Sequence, residues 1–406
     1  MSASLLKTDM FDTSVGKNLF AIVNAGSATL KFSLLGVVDT PLRALVERLG
    51  ETDGEEPRAV IKDALGNTVF DGPIPLRNHG EALAWLFEWI AQECPQLRPV
   101  AVGHRVVHGG DSLQKPILVT PEVIGQIESL ISLAPLHQPH NLSPIQFIAR
   151  KFPKLPQVAC FDTAFHANQS KIERMFALPR LWSEKGIKRY GFHGLSYEYI
   201  ALRLPEIDEQ AATGRTIVCH LGNGASLCGL HAGRSVATTM AFTALEGLPM
   251  GTRSGSIDPG VLLHLLDQEK MTVGELSNLL YKQSGLLGIS GISSDMRDLL
   301  ADPSAEAAEA VEYFCYRIAR AIGSLTAALG GLDGIVFTGG IGEHAAQVRT
   351  RICKLSQWLG IAIDSVANAE NRIVLHTADS SIKVLVIPTN EERMIAKHVV
   401  QVLGMA

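Results

Sequence analysis

Val23-Asn-Ala-Gly-Ser-Ala-Thr-Leu-Lys-Phe-Ser-Leu34 passes from an apolar run through small residues into a second apolar run, and Cys219-His-Leu-Gly-Asn-Gly-Ala-Ser-Leu-Cys-Gly-Leu230 does the same near mid-chain. Each stretch predicts a buried strand, a tight turn and a second strand. Around the first turn the strands are Leu19–Asn24 and Leu30–Val38; around the second they are Thr216–Leu221 and Ser226–Leu230. Two such copies about half a chain apart suggest a duplicated domain with an active cleft between the halves. Small residues occur at the turn of any hairpin, so two unrelated hairpins also fit this pattern taken alone.

Outward from these hairpins, strand-like and helix-like runs alternate. His79–Gln92 reads as a helix, Val100–Val107 as a strand, Pro121–Ser132 as a helix and Gln157–Phe161 as a short buried strand ending at Asp162. Ala305–Leu329 reads as a long helix, Gly334–Phe337 as a strand and Glu343–Trp358 as a helix. Ile382–Ile387 and Glu391–Leu403 close the chain as strand and helix. This alternation predicts an α/β protein. No low-complexity tract marks a linker, so the domain boundary falls in a short connection such as Phe165–Lys171.

The 406 residues predict two or three domains, and 46% hydrophobic with 19% charged residues is enough for a sizeable core. A net charge of −5 argues against a general nucleic-acid binder but not against a small anionic substrate. The six cysteines form no C-x-x-C pair and several lie in apolar runs, which suits buried thiols in a reducing compartment. No apolar run is long enough to cross a membrane. Met1–Asn18 lacks the apolar stretch of a signal peptide and reads as a loose lead-in. The expectation is a cytoplasmic protein with neither nucleic-acid nor membrane partners.

Four glycine-containing segments each follow a strand: Asn24-Ala-Gly-Ser-Ala-Thr-Leu-Lys31, His220-Leu-Gly-Asn-Gly224, Ser290-Gly-Ile-Ser-Ser-Asp-Met-Arg297 and Thr338-Gly-Gly-Ile-Gly-Glu343. Glycine lets backbone N–H groups approach a ligand and hydroxyl side chains add donors, a combination suited to phosphate. Any one of them is more simply a structural turn; four in one α/β chain favour phosphate. There is no G-x-x-x-x-G-K-[ST], no G-x-G-x-x-G opening a Rossmann unit and no H-E-x-x-H.

Arg105 in Gly103-His-Arg-Val-Val-His-Gly-Gly110 and Arg253 in Met250-Gly-Thr-Arg-Ser-Gly255 sit among small residues, and Lys31 lies just past the first glycine turn. A guanidinium so placed can clamp charged oxygens, although a solvated surface charge is the ordinary explanation of any one arginine. Asp162 ends a strand, where α/β sheets carry functional carboxylates. His137 and His193 are loop histidines that read equally well as structural hydrogen-bonding groups. Asn390-Glu-Glu392 opens the last helix, where acids also relieve the helix dipole and one glutamate remains for magnesium.

Ten motifs then occur in order: Asn24-x-Gly-Ser-x-x-x-Lys31, His104-Arg-Val-Val-His-Gly-Gly110, Ala134-Pro-Leu-His137, Phe161-Asp-Thr-x-Phe-His166, Arg189-Tyr-Gly-Phe-His-Gly194, His220-Leu-Gly-Asn-Gly224, Gly251-Thr-Arg-Ser-Gly255, Ser284-Gly-Leu-Leu-Gly288, Phe337-Thr-Gly-Gly-Ile-Gly-Glu343 and Thr389-Asn-Glu391. From about residue 19 to the C-terminus the chain resembles the acetokinase family. The resemblance implies two duplicated ribonuclease-H-like domains with an ATP and substrate cleft between them, the fold of sugar kinases, heat-shock ATPases and actin. It implies residues 1–165 with 391–406 as an acyl-substrate domain and 166–390 as a nucleotide-binding domain, in a homodimer. The implied reaction is reversible, magnesium-dependent transfer of the ATP γ-phosphoryl group to acetate, giving acetyl phosphate and ADP, with manganese as the substitute ion. A propionate kinase is the nearest alternative, and a non-catalytic ATP-binding module the alternative of another class.

By matching motifs, Asn24 and Glu391 would hold the metal and Arg105 the acyl substrate. Asp162, His193 and Arg253 would be catalytic. Lys31, Ser27, Thr29, His220, Leu221, Gly222, Asn223, Gly224, Asp295, Met296, Arg297, Gly339, Gly340, Ile341, Gly342 and Glu343 would line the ATP site. Val107, Leu136, His137 and Phe192 would border the acyl group, with Ala244 a further wall candidate. Acetate is already ionised at neutral pH, so Asp162 need not remove a proton and is expected to orient an arginine, a water or the metal. The chain departs from the family pattern at Ala28, where a serine is usual, at Tyr197, where a histidine is usual, and at Ser256, where an aspartate is usual.

Overall fold

The structure is a computed structural model describing residues 18–36, 40–50, 56–76 and 78–405, so the lead-in segment lies outside the described residues except for Asn18. The chain forms two compact units, one running to Ala164 and resuming at Asn390, the other spanning Phe165–Thr389.

The first unit is built on an eight-stranded sheet: β1 (Leu19–Ala25), β2 (Thr29–Leu35), β3 (Leu42–Glu47), β4 (Arg58–Asp63), β5 (Thr68–Pro73), β6 (Pro99–Val106), β7 (Ile117–Leu118) and β8 (Gln157–Phe161). Their order is β5-β4-β3-β2-β1-β6-β8-β7. Strands β1 to β5 pair antiparallel, while β1, β6 and β8 run parallel. The central strand β1, Leu-Phe-Ala-Ile-Val-Asn-Ala, is buried on both faces except at Asn24, as a sheet covered on both sides requires. Toward the edge, β3 alternates buried and exposed residues with the two-residue period of the pleat. Helix His79–Glu93, capped by the Asn78 side chain on the Glu81 N–H, lays Leu83, Leu86, Phe87 and Ile90 on this sheet. Phe87 meets Phe32 and Phe152 edge-on with ring centroids 5.8 and 5.3 Å apart.

The second unit repeats the plan with β9 (Arg215–Leu221), β10 (Ala225–His231), β11 (Arg234–Thr238), β12 (Gly334–Thr338) and β13 (Lys383–Val386), in the order β11-β10-β9-β12-β13. Here β11, β10 and β9 pair antiparallel, and β9, shared between the two halves, runs parallel with β12 and β13. The run β3-β2-β1-β6-β8 of the first sheet therefore has the same order and senses as the whole second sheet. Both central hairpins join two seven-residue strands through three residues. Their registers differ by one: Asn24 pairs with Lys31, whereas His220 pairs with Ser226 rather than Leu227. The fold is α/β and duplicated. Helix Ala305–Leu329 covers the second sheet with an apolar stripe at helical spacing (Ala307, Ala310, Val311, Phe314, Ile318, Ile322 and Leu325), begins at the Ser304 cap and ends at Gly330 in the left-handed region.

After the last strand of each sheet the chain enters the other unit. Following β8 it forms helix Gly194–Arg203, whose Tyr197 and Ile200 pack with Val218, Val336 and Leu385 in the second unit. Following β13 it forms helix Glu391–Leu403, which lies on β1, β6 and β8 in the first.

Three expected elements differ. The strand expected over Leu30–Val38 ends at Leu35, and residues 37–38 lie outside the described residues. The helix from Pro121 stops at Ser129, followed by a single 3-10 turn at Ile131–Leu133. Glu343–Trp358 is not one helix: Gly339–His344 and Ala346–Leu355 are separate helices broken at Ala345, with a 3-10 turn at Gln357–Leu359. The break has a partner. The fully buried Arg349 donates from Nη1 to the carbonyls of Gly342 and Glu343 (both 2.9 Å), from Nε to Asn368 Oδ1 (2.7 Å), and from Nη2 to Asn368 O (2.7 Å) and Asn371 Oδ1 (2.6 Å). Carbonyls that a continuous helix would bond internally are satisfied by this side chain instead.

Candidate active site

In the first unit the C-terminal ends of three adjacent parallel strands deliver Asn24 from β1, Arg105 from β6 and Asp162 directly after β8, the end of an α/β sheet at which ligands bind. Arg105 Nε and Nη2 grip the Asp162 carboxylate, with Nη2 2.6 Å from Oδ2 and Nε 3.0 Å from Oδ1. Arg105 Nη1 donates to Asn24 Oδ1 at 3.3 Å, and Nε lies 3.7 Å from Glu391 Oε2. Burial by itself would lower the Arg105 pKa, but the charges of Asp162 and Glu391 and the hydrogen bond to Asp162 outweigh it and raise the value.

Glu391 reaches this cluster because helix Glu391–Leu403 lies directly on β6. A Cβ at Gly103 would fall 2.4 Å from Ile395 Cγ2 and 2.9 Å from Val399 Cγ2, so only glycine admits the helix there. The buried Asn141 bridges two strand ends, accepting from the Val107 N–H (2.9 Å) and donating to the Ala25 carbonyl (2.7 Å). His79 Nε2 donates to the Gly26 carbonyl at 2.7 Å and steadies the first glycine turn. Sequence reasoning missed all three roles, which rest on packing and backbone contacts made only in the folded chain.

Lys31 is exposed and directly opposite Asn24 across the β1/β2 pair, so both side chains leave the same face of the sheet. Ser27 is exposed and Thr29 half-buried in the same turn. Val107 is buried at the end of β6, His137 is half-buried at the start of helix Gln138–Lys151, and Leu136 is exposed.

The second unit holds a cavity of about 430 Å³ lined by Gly222 and Asn223, by Asp295, Met296 and Arg297, and by Gly340 and Ile341. Three of the four glycine segments thus meet at one cavity, Ser294 of the third among its lining, joined by Leu300, His344 and Ala345, which the sequence did not single out. Asp295 caps helix Met296–Ala301, and its carboxylate accepts from Arg297 Nη2 at 2.5 Å; that bond, with the capping N–H, holds its pKa below the usual carboxylate value. Gly339 has φ +76°, and a Cβ there would sit 2.7 Å from the Leu221 carbonyl oxygen. Leu221 and Gly342 are buried, and the Glu343 carboxylate accepts from the N–H groups of Gly339 (2.9 Å) and Thr389 (3.1 Å), so these residues shape the loop from beneath.

His193 takes the left-handed φ of 59° before helix Gly194–Arg203 and stacks on His220 with centroids 4.2 Å apart. Arg253 Nη1 donates to the Ala244 carbonyl at 3.1 Å. A Cβ placed on Gly224 would be 3.4 Å from His193 Nε2 and 3.9 Å from Arg253 Nη1, so both groups open onto this turn. Phe192 is buried, with its carbonyl accepting from His166 Nε2 at 3.0 Å.

Residues 19–397, spanning both sheets and every sequence-predicted site residue, match the model of the acetokinase family. The chain belongs to the acetokinase family. An acetate kinase of Rhodopseudomonas palustris is 51% identical over 390 residues, covering 94% of this chain and 98% of that protein. An acetate kinase of Methylocella silvestris is 46% identical, covering 94% and 97%. Among solved structures, a propionate kinase from Francisella tularensis superposes with a TM-score of 0.88 at 35% identity, covering 94% of this chain and 98% of that one. Porphyromonas gingivalis acetate kinase gives 0.86 at 35% identity, covering 95% and 100%.

Acetokinases use ATP and a divalent metal. The donors at the first-unit cluster fit a hard cation: Asn24 Oδ1 and the carboxylates of Asp162 and Glu391 are all oxygen ligands. No group of three His, Cys, Asp or Glu residues that could cage a metal occurs among the described residues. Among the same residues no helix is long and apolar enough to cross a membrane.

Proposed function

We propose that this chain is an acetate kinase that transfers the γ-phosphoryl group of ATP to acetate, with magnesium as its metal. The observation that carries the reading is the 51% identity to an acetate kinase across 94% of the chain. A carboxylate oxygen of acetate attacks the γ-phosphorus in line. The bond to the β-phosphate oxygen breaks, and its electron pair leaves on ADP. No proton moves, because acetate is already ionised, with a pKa of about 4–5 by analogy with Asp and Glu.

Positioning and cations therefore do the work. Asp162 and Asn24 occupy three of the five N–H donors of Arg105, leaving one on each Nη to meet the acetate carboxylate. Asp162 acts by fixing that fork. Asn24 and Glu391 would hold magnesium, which when bound neutralises charge on the phosphate oxygens. Lys31 reaches the phosphates from the face it shares with Asn24. His193 and Arg253 receive the charge that develops on the transferring group. The cavity at Gly222, Asp295 and Gly340 takes the nucleotide.

A homodimer is supported by helix Pro259–Asp267, which is apolar yet buries none of its residues, with Leu263 67% exposed. A cytoplasmic location is supported by six free cysteines. The likeness to a propionate kinase structure favours a second reading, the same chemistry on a longer acid. Trapping the product of ATP, magnesium and acetate with hydroxylamine tests the first reading: acetyl hydroxamate supports it, and its absence at micromolar enzyme overturns it.

A further inference from the structure

We propose that Tyr197 and Ser226 are positioning residues that hold His193 as its Nε2–H tautomer, so that a neutral imidazole presents a hydrogen-bond donor to the transferring phosphoryl group. This rests on the acetate kinase reading only for the identity of the group that receives the bond.

The direction of the relay follows from counting hydrogens. Tyr197 and Ser226 are both fully buried. The Tyr197 hydroxyl lies 2.5 Å from Ser226 Oγ, and Ser226 Oγ lies 2.8 Å from His193 Nδ1. Each hydroxyl has one hydrogen to give. If Tyr197 donates to Ser226, then Ser226 donates to Nδ1, and every hydrogen in the chain finds an acceptor. If Nδ1 carried the proton instead, three hydrogens would share two contacts, and either the phenolic or the serine hydrogen would be buried without an acceptor, which is the costly arrangement. Nδ1 is therefore the acceptor, and the ring proton resides on Nε2.

The surrounding structure keeps this chain in one geometry. Tyr197 lies one helical turn after His193, with its N–H bonded to the His193 carbonyl at 3.1 Å, so both side chains occupy the same side of the helix start. The phenol ring is wedged edge-on between His166 and His220, at centroid distances of 5.7 and 6.5 Å. Burial raises the Tyr197 pKa well above its ordinary value, which keeps the hydroxyl protonated as a donor. The stack on His220 fixes the imidazole plane, and the His220 Nδ1 bond to Ser196 Oγ (2.8 Å) anchors the stack in turn. Nε2 faces the Gly224 turn beside Arg253 Nη1, so donor and cation address the same space. Tyr197 is one of the positions where this chain leaves the family pattern, so the relay is a property of this sequence.

The test uses full-length protein labelled with 15N-histidine. Long-range 1H–15N spectra identify the protonated nitrogen of His193, assigned by difference against His193→Gln. The expected wild-type state is Nε2–H. In Tyr197→Phe and Ser226→Ala the signal moves toward the Nδ1–H tautomer, and kcat for acetyl phosphate formation falls about tenfold while both KM values stay within about twofold. Ser226→Thr keeps the hydroxyl and restores both the tautomer and kcat. An Nδ1–H wild type, a tautomer indifferent to both substitutions, or a tautomer shift with unchanged kcat overturns the proposal. A wild type that forms no acetyl phosphate but shows the Nε2–H relay overturns the acetate kinase reading and leaves the relay standing.

Discussion

Arg105 Nη2 lies 2.6 Å from Asp162 Oδ2, and the Asp162 side chain is 3% exposed, so the guanidinium proposed to bind the acyl substrate is held by a carboxylate shielded from water. Such a pair is costly to break, because the surviving charge stays buried. Asp162→Asn is expected to raise the KM for acetate and lower kcat by at least about tenfold, with a fall in melting temperature. Steady-state kinetics with varied acetate, paired with circular dichroism, read both effects. Near-full turnover in this variant would remove Asp162 from the mechanism.

Gly103 is the position that seats the C-terminal helix. Gly103→Val puts side-chain atoms where Ile395 and Val399 already lie and must lift that helix from β6. Overpacking of this kind costs about 1–3 kcal/mol. Because the helix begins at Glu391, the proposed magnesium ligand moves with it. The expected result is lower stability together with a raised magnesium requirement, measured as the metal concentration for half-maximal activity. A stability loss with no change in that concentration would place the metal elsewhere.

Val107, buried just after the strand that carries Arg105, is a branched wall residue expected to limit acyl length. One methylene in such a pocket is worth about 1–3 kcal/mol, so propionate should be a weak substrate rather than an excluded one. Val107→Ala is expected to raise the propionate-to-acetate ratio of kcat/KM severalfold. An unchanged or lower ratio would show that another residue sets the length.

Burial lowers the pKa of His104, His108 and His166 to about 4 each, against an ordinary value of 6.5. His104 has no acceptor at Nδ1 for a second proton. The unfolded chain binds protons at these three sites below about pH 6.5 while the folded chain does not, so stability is lost as pH falls from 6.5 toward 4. Urea midpoints are expected to drop between pH 7 and pH 5. Midpoints that stay flat or rise over that range would contradict the neutral, buried state of these rings.

Much of this molecule was legible in its residues. The two hairpins could be read because their strands are buried on both faces and their turns are small; Asp162 stood out because it ends a strand, Arg105 for its small-residue flanks, and Asn24 only through the family motif. Strands β4 and β5 were not visible: β5 is largely exposed and carries little apolar pattern. The one-residue difference in register between the hairpins leaves no trace in composition, yet it decides that Ser226 rather than Leu227 sits opposite His220. The helix break at Ala345 was hidden because its cause, Arg349, looks like any helical arginine. Gly103 and Asn141 were passed over because they act through packing and backbone contacts that exist only once the strands are side by side.

The most direct test is kcat/KM measured side by side for acetate, propionate and butyrate with ATP and magnesium. The account predicts acetate first, propionate lower but measurable, and butyrate lowest. Propionate exceeding acetate, or ADP formation independent of any added acid, would contradict it.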